Sequence, residues 1–365
     1  MAHAPNISVV MTVYNAKAYL SQSVKSVLEQ TFTDFEFIII DDASTDGSLE
    51  ILHGFKDPRL RIHANPQNQG QTKSLNTGLQ LAVGKYIARM DADDFAFKSW
   101  LSLMFKRMEQ EATCAVLSPM AVQVNAYGRP IKVLNTPQDK EDIFLKSLLA
   151  SPINHVGCMM RKEDILAAGG YPAGYKIVAD YALWCILLRQ GKQIVHQHDI
   201  LVAVRVHEGS VSVLHANTRV AQEMAGVYAE NLPFWIKKHI PHEDLMRVWS
   251  AYYAPHQLSL EDFIKAGGII HAMYEALARD VKPFLDHMMA VLYFKRVWHQ
   301  IGLVQDSQVR ITAQDYIQRK GFTPVLAFIW ACSFVPGGLH LAKRCFFFMQ
   351  TLKSSIQVER VRHTL

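Results

Sequence analysis

The 365-residue chain has five cysteines, no Cys-x-x-Cys pair and no apolar run long enough to cross a bilayer. Scattered cysteines argue against a disulfide scaffold or a zinc ribbon and suit a reducing compartment. A membrane-spanning helix needs about 20 apolar residues, so a conventional span is disfavoured. The first residues lack a basic stretch followed by an apolar one, and we therefore expect no secretory signal.

Two further kinds of motif are missing. No Gly-x-Gly-x-x-Gly stretch follows a predicted strand, which disfavours a dinucleotide-binding oxidoreductase. The net charge is +5, but residues 1–215 carry 21 basic and 21 acidic side chains, and the surplus lies after residue 318, where Glu359 is the only acid. No mixed basic and aromatic motif of RNA- or DNA-binding proteins accompanies this tail, so we expect no nucleic-acid partner.

Hydrophobic residues make up 50% of the chain, enough for a sizeable core, and the first hundred residues alternate strand and helix signals. Short apolar runs predict strands at 7–13, 35–40, 59–65 and 85–91. Amphipathic stretches predict helices at 17–30, 44–55 and 72–83. We expect Ser44 to cap the second of these helices. Strands separated by helices of this length predict βαβ units and a parallel sheet.

The strand signals stop near residue 215. The sequence therefore predicts an α/β domain over residues 1–215 and a helical accessory region over residues 216–365. Within the latter, residues 322–335 are strongly apolar but contain Pro324 and are too short for a span. The mixed aromatic and basic residues that follow fit an element lying in the plane of a membrane surface. They fit a buried helical hairpin equally well, and both interpretations stay open.

Polar clusters follow three of the predicted strands, and the most acidic is the stretch Arg-Met-Asp-Ala-Asp-Asp. Ligands of such sheets bind at the carboxyl ends of the strands. Three neighbouring carboxylates repel one another, which favours a bound cation. If the backbone stays extended, Asp91 and Asp93 point the same way and could share Mg²⁺ or Mn²⁺ with substrate phosphates. The alternative is a solvated acidic turn.

Four ordered motifs resemble those of the inverting family 2 glycosyltransferases, which have a GT-A fold. The motifs are ISVVMTVYNAKAYLSQSVKSVLEQTFTDFEFIIIDDASTDGS, NQGQTKSLNTGLQLAVGKYIARMDADD, NHVGCMMRKEDILAAGGYPAGYKIVADYALWCILLRQG and AVRVHEGSVS. The resemblance covers roughly residues 5–213. It implies an α/β fold, a Rossmann-like and mostly parallel sheet flanked by helices. It also implies transfer of one sugar from a nucleotide-diphosphate donor, UDP-linked by family habit, to a hydroxyl of a glycan or lipid-linked acceptor.

The resemblance implies a role for each site residue. The donor nucleotide would contact Thr12, Val13, Tyr14, Asp42 (on the base), Lys73 and Asp91 (on the ribose or the metal). A divalent metal ion, Mn²⁺ or Mg²⁺, would be held by Asp93, with His207 as a further ligand. The acceptor side or the surroundings of the site would include Asp94, His155 and Arg205. Purely structural roles remain open for Asp42, as a turn residue, and for His207.

The acceptor hydroxyl needs a general base because its pKa lies far above neutrality. By resemblance this base is Asp180 in the stretch Val-Ala-Asp-Tyr-Ala-Leu-Trp. The chain has Ala179 where the family often has Glu, and Ala182 where it often has a second Asp. These missing acids leave two alternatives open: that Asp180 only favours a helix N-terminus, and that the protein is a catalytically impaired nucleotide-sugar-binding partner in an assembly.

The place of action is also an expectation. The chain lacks the QxxRW-type motif and the transmembrane helices of processive family members, which favours transfer of a single sugar. We expect a cytoplasmic enzyme of bacterial surface polysaccharide or lipopolysaccharide synthesis. The apolar and basic tail would bring it to the cytoplasmic face of the inner membrane.

Overall fold

The computed structural model describes residues 4–134, 143, 146–147, 151–210, 223–224, 226–227 and 230. Most of the predicted helical region, including its apolar segment 322–335, lies outside the described residues. The boundary near residue 215 and the membrane-surface element therefore stay predictions. None of the helices described combines the length and the apolarity that crossing a bilayer requires.

Strands and helices alternate through the first hundred described residues. The strands are β1 (Ile7–Val13), β2 (Phe35–Asp41), β3 (Leu60–Ala64), β4 (Tyr86–Asp91), β5 (Phe95–Ala96), β6 (Cys114–Val124), β7 (Pro130–Val133), β8 (Met159–Arg161) and β9 (Gln193–Arg205). The helices are α1 (Lys17–Leu28), α2 (Ser48–Gly54), α3 (Gln71–Leu81), α4 (Trp100–Gln110), α5 (Lys162–Ala167) and α6 (Ala179–Arg189).

The described strands form one mixed sheet in the order β3-β2-β1-β4-β8-β6-β9-β5, with β7 paired to β6. The four N-terminal strands are parallel, as the βαβ pattern predicts. Beyond β4 the short strand β8 runs antiparallel between β4 and β6, while β6 and β9 are parallel. The predicted α/β class is confirmed, and the antiparallel strands are an addition that the sequence did not indicate.

The sheet is buried on both faces, as parallel sheets with crossover helices are. Alternate residues of β1 belong to two different core clusters: Ile7, Val9 and Met11 pack with α1 and α4, and Val10 packs with α3 and α6. This double coverage explains why β1 is an unbroken apolar run. The faces of β1 therefore offer no room for a ligand.

The predicted cap of the second helix is wrong. Helix α2 begins at Ser48 and follows Gly47, whose φ of +93° is a conformation that glycine adopts readily. The hydroxyl of Ser44 instead accepts the backbone N–H of Asn15 at 3.0 Å. Ser44 therefore joins the loop after β2 to the loop after β1.

Candidate active site

A cavity of about 400 Å³ lies at the carboxyl end of β4 and brings the acidic stretch together with the start of α6. Most of its lining side chains are polar or charged. They include Gln71, Thr72, Arg89, Asp91, Asp93, Asp94, His155, Lys176, Asp180, Arg205 and Ser210. A larger groove of about 870 Å³ between α1 and β5 contains none of the predicted site residues. The chemistry is therefore concentrated in the smaller cavity.

The acidic stretch is a turn, because β4 ends at Asp91 and residues 92–93 leave the strand. The condition that the backbone stays extended from Asp91 to Asp93 is therefore not met, although both carboxylates reach the same cavity. Their side chains are 25% and 32% exposed, whereas Asp94 is buried. Burial, together with the neighbouring carboxylates, raises the pKa of Asp93 and raises that of Asp94 well above its ordinary value. The turn thus gathers acids that a cation would stabilise.

Arg89 is a component of this cavity that sequence reasoning missed. Its side chain is 1% exposed and donates a hydrogen bond from Nη2 to Oδ1 of Asp91. The other two guanidinium nitrogens, Nε and Nη1, are buried and have no hydrogen-bond partner. One buried positive charge therefore lies against the acidic turn, and its only ion-pair partner among the described residues is Asp91.

Asp180 lies in the first turn of α6 and lines the cavity with the acidic turn. Desolvation raises the pKa of its carboxyl to about 6, and the backbone N–H groups of Asp180 and Tyr181, together with the charge of Arg89, limit that rise. A carboxylate with such a pKa is ionised at neutral pH and still able to accept a proton. Ala179 lines the cavity beside it, at the position where the family often has a glutamate.

His207 contacts the acidic turn from the end of β9. Its Nε2 lies 3.0 Å from Oδ2 of Asp93, and the ring packs against Tyr19. The backbone N–H of Gly209 donates to Nδ1 at 3.1 Å, so Nδ1 is an acceptor and Nε2 carries the proton of the neutral ring. In this tautomer His207 donates to Asp93. Metal ligation through Nε2 would require the proton to move to Nδ1.

Arg205 ties β9 to the acidic turn. Its backbone N–H donates to Asp94 Oδ1 at 2.6 Å, and its Nε donates to the carbonyl of Asp93 at 2.8 Å. The remaining guanidinium nitrogens donate to the carbonyl of Ala126 at 2.8 Å and to Gln22 Oε1 at 2.7 Å. Arg205 is 4% exposed, so most of its donors are engaged within the protein. These contacts fix the position of the turn.

His155 forms part of the wall between the acidic turn and α6. Its Nε2 lies 2.7 Å from the hydroxyl of Tyr171, and its ring meets Trp184 edge-on. Burial, and to a smaller extent the charge of Arg89, holds its pKa well below the ordinary value. The ring is therefore neutral, and it contributes shape and a hydrogen-bonding group instead of a charge.

The predicted nucleotide-binding residues on the first two strands lie outside the set that lines this cavity. Thr12 is paired with Asp91 across β1 and β4, and Val13 is buried with its carbonyl accepting the N–H of Asp42 at 2.7 Å. Tyr14 is 54% exposed and precedes Asn15, whose φ is +51°. Thr12 and Val13 end β1 beside Asp91, and Tyr14 begins the loop that follows. Their contact with a nucleotide stays a prediction.

Asp42 and Lys73 have different surroundings. Asp42 is buried, and its carboxylate accepts hydrogen bonds from Asn65 Nδ2 at 2.8 Å and from the backbone N–H groups of Gln69 and Gly70 at 3.0 and 2.8 Å. It therefore holds the loop that leads into α3. Lys73 is exposed on α3, whereas Gln71 and Thr72 face the cavity. The contact of Lys73 with a nucleotide stays a prediction.

The carboxylates of the acidic turn suit a divalent metal ion that also has substrate oxygens as ligands. Within the part of the chain that the structure describes, no group of three or more His, Cys, Asp or Glu side chains could hold a metal ion alone. Mg²⁺ and Mn²⁺ bound to nucleotides are commonly held by one or two carboxylates plus phosphates and water. Asp91 and Asp93 supply two partly exposed carboxylates, which fits this pattern.

Comparisons with known proteins bear on the family and the fold of the chain. The sequence model described as "Glycosyl transferase family 2" matches residues 8–169. An uncharacterised glycosyltransferase of Haemophilus influenzae is 33% identical over 211 residues, which cover 57% of this chain and 82% of that protein. The Escherichia coli protein WfaP, a UDP-Glc:alpha-D-GlcNAc-diphosphoundecaprenol beta-1,3-glucosyltransferase, is 29% identical over 217 residues, which cover 56% of this chain and 79% of that protein.

A solved structure shares the fold. The mannosyltransferase PcManGT of Pyrobaculum calidifontis, in complex with GDP-Man and Mn²⁺, aligns with a TM-score of 0.51 and 17% identity over 82% of this chain and 89% of that chain. At this identity the likeness concerns the fold, a mixed sheet flanked by helices. Together with the family match and the relatives, it identifies the chain: it belongs to glycosyltransferase family 2 and has the GT-A fold.

Proposed function

We propose that this protein is an inverting, metal-dependent glycosyltransferase that moves one sugar from a nucleotide-diphosphate donor to a hydroxyl of a glycan or lipid-linked acceptor. The observation that carries the proposal is that Asp180 and the acidic turn line the same cavity. In the sequence, 86 to 89 positions separate them. A general base on one side and a group for the diphosphate on the other are the two requirements of this reaction.

In the proposed reaction Asp180 accepts the proton of the acceptor hydroxyl as its oxygen attacks the anomeric carbon. The new carbon–oxygen bond forms as the bond to the diphosphate breaks, and the nucleotide leaves with the electron pair. Attack from the side opposite to the leaving group inverts the anomeric configuration. The pKa of Asp180, raised to about 6 by desolvation, suits a base that works near neutral pH.

On the donor side, Asp93 and Asp91 would hold a Mn²⁺ or Mg²⁺ ion. When bound, such an ion supplies Lewis-acid stabilisation of the departing diphosphate. His207 would keep Asp93 oriented through its hydrogen bond, and Arg205 would fix the backbone of the turn. The presence of Mn²⁺ in the complex of PcManGT supports the choice of metal.

The donor is proposed to be a UDP-sugar and the acceptor a lipid-linked glycan, by similarity to WfaP, whose name states both. A GDP-sugar is the alternative donor, because PcManGT is in complex with GDP-Man. The pathway would be synthesis of a bacterial surface polysaccharide. The proposed place of action is the cytoplasmic face of the inner membrane, with the two predicted regions of the chain, 1–215 and 216–365, serving transfer and attachment.

A donor panel tests the proposal. The full-length protein would be incubated with Mn²⁺, a synthetic lipid-diphosphate-linked sugar and each of several UDP- and GDP-sugars, and nucleotide release and the anomeric configuration of the product would be measured. We expect transfer from one nucleotide class with inversion. Tight nucleotide binding without turnover on any donor would instead support the catalytically impaired assembly partner, and a retained anomeric configuration would exclude the base role of Asp180.

A further inference from the structure

Glu223 lies beyond the stretch that the family model matches, yet it contacts the segment that leads into α6. Its Oε2 accepts hydrogen bonds from the backbone N–H groups of Lys176, Ile177 and Val178, at 3.0, 2.8 and 3.3 Å. Three consecutive N–H groups are thus directed at one carboxylate oxygen. This carboxylate lies 43 positions later in the chain than Asp180, the residue that α6 carries into the cavity.

The carboxylate of Glu223 contacts the backbone at the N-terminus of α6. The first N–H groups of a helix lack partners inside the helix, and the helix dipole favours a negative charge there. Val178, the N-cap residue, provides no side-chain cap. Two carboxylates divide the available N–H groups between them: Glu223 takes those of residues 176–178, and Asp180 accepts those of Asp180 and Tyr181. Of the three N–H groups that Glu223 binds, only that of Val178 belongs to the helix terminus, and those of Lys176 and Ile177 precede it. Glu223 therefore anchors the segment that leads into α6 and places a negative charge near its N-terminus.

The neighbourhood of Glu223 also contacts the other end of α6. Val227 is fully buried and Met224 is 7% exposed, so both side chains are packed against the protein. Arg189, at the C-terminal end of α6, donates from Nη1 to the carbonyl of Glu230 at 3.2 Å. Glu223 and Glu230 thus contact the two ends of the helix.

The segment held by Glu223 faces the cavity. Lys176 and Ile177 line it together with Asp180, whereas Glu223 is not among the lining residues. Any shift of residues 176–178 would move the start of α6 and the carboxylate of Asp180. A displacement of about 1 Å in a catalytic group can lower a rate about 100-fold.

We propose that Glu223 is a positioning residue for the general base: it holds residues 176–178, which lead into α6, and so fixes Asp180 at the acceptor side of the cavity. The inference rests on the proposed function, which assigns the base role to Asp180. It gives the region beyond the matched family stretch a part in the reaction. Glu223 acts through Asp180 and touches no reacting group.

The first test compares Glu223→Ala, Glu223→Gln and the control Glu163→Ala, which removes an exposed acid from the first turn of α5. We expect Glu223→Ala to lower kcat about 100-fold while the donor KM and the Kd for UDP with Mn²⁺ stay near the wild-type values. Glu223→Gln keeps an acceptor oxygen but loses the charge, so we expect a partial loss of about fivefold, since charge-assisted hydrogen bonds are the stronger ones. The control should have wild-type kinetics.

The second test combines Glu223→Ala with Asp180→Asn. If Glu223 acts through Asp180, the double variant loses no more activity than Asp180→Asn alone. An additive loss, or equal losses in kcat and in UDP binding, would assign Glu223 a general structural role and overturn the proposal. Wild-type kcat in Glu223→Ala would also overturn the proposal. If the alanine variant does not fold, wild-type kcat in Glu223→Gln would overturn it.

The outcomes also separate this inference from the function on which it rests. Full activity in Asp180→Asn would remove the base assignment and the positioning role together. An inactive Asp180→Asn beside a fully active Glu223→Ala would overturn the positioning role alone.

Discussion

The guanidinium of Arg89 lies buried at the end of β4 and donates a hydrogen bond to the carboxylate of Asp91 two residues later. The same positive charge opposes the rise that burial causes in the pKa of Asp180. Arg89 therefore acts electrostatically on both sides of the cavity, on an acid assigned to the donor and on the proposed base. Several expectations about activity follow from this arrangement.

The pH dependence of the wild-type enzyme should show an acid limb governed by Asp180. Burial raises the pKa of this carboxyl to about 6, so the base is ionised above pH 6 and protonated below it. We expect kcat/KM with saturating Mn²⁺ to be level from about pH 7 upward and to fall about tenfold per pH unit well below pH 6. A pH series of initial rates measures this. A profile that remains level down to pH 4.5 would contradict the assignment.

Replacement of Arg89 should move that limb. Arg89→Met removes a buried positive charge that lowers the pKa of Asp180, so protonation should begin at higher pH and the acid limb should shift upward. Arg89→Lys keeps the charge and should have a limb close to that of the wild type. The same pH series on both variants checks this expectation, and an unshifted limb in Arg89→Met would show that Arg89 does not act on the base.

Asp93 should control the metal dependence of nucleotide binding. Its partly exposed carboxylate faces the cavity and is oriented by His207. We expect Asp93→Asn to weaken Mn²⁺-dependent UDP binding at least about tenfold, as loss of groups around metal sites commonly does. Calorimetric titrations with and without Mn²⁺ measure the effect, with Asp199→Asn, an exposed acid on β9, as the control. Equal Mn²⁺ dependence in wild type and Asp93→Asn would contradict this role.

Arg205 should matter for stability as well as for the site. Its removal leaves the partly buried carbonyls of Asp93 and Ala126 without their donor, and a group that loses its partner away from water costs free energy. We expect Arg205→Met to lower the free energy of unfolding by at least about 2 kcal/mol, since bonds to charged groups are the stronger ones. Arg205→Lys cannot reproduce the planar set of donors and should recover only part of the loss. Urea unfolding measures both, and unchanged midpoints would refute this expectation.

The main elements of the N-terminal half could be predicted because apolar runs and the polar residues that follow them are local patterns. Apolar runs gave β1, β2 and β4 to within about two residues, and the polar residues after them marked the edge of the sheet where the cavity lies. The cap of α2 could not be predicted in the same way. Ser44 is a good capping residue by type, but Gly47 starts the helix and Ser44 bonds to the loop after β1.

Site residues that act through contacts distant in the sequence could not be predicted from local patterns. Glu223 binds N–H groups 45 to 47 positions earlier, and no local pattern indicates such a pairing. Arg89 had one usable signal, a charge inside an apolar strand that must be buried on both faces. For Lys73 the helical pattern predicts exposure, because Thr72, Leu75 and Leu79 form the buried face of α3 and Lys73 lies off that face.

Nucleotide release by Asp180→Asn, measured together with the binding of UDP by the same variant, tests the general-base role of Asp180 most directly. The substitution preserves the size of the side chain and removes its ability to accept the proton, so a general base should be lost at a cost of about 10²–10⁴-fold in kcat. UDP binding with Mn²⁺ should stay at the wild-type level, because Asp91 and Asp93 are untouched. Turnover reduced to this degree with binding intact is the predicted result, and wild-type turnover in Asp180→Asn would contradict the central claim.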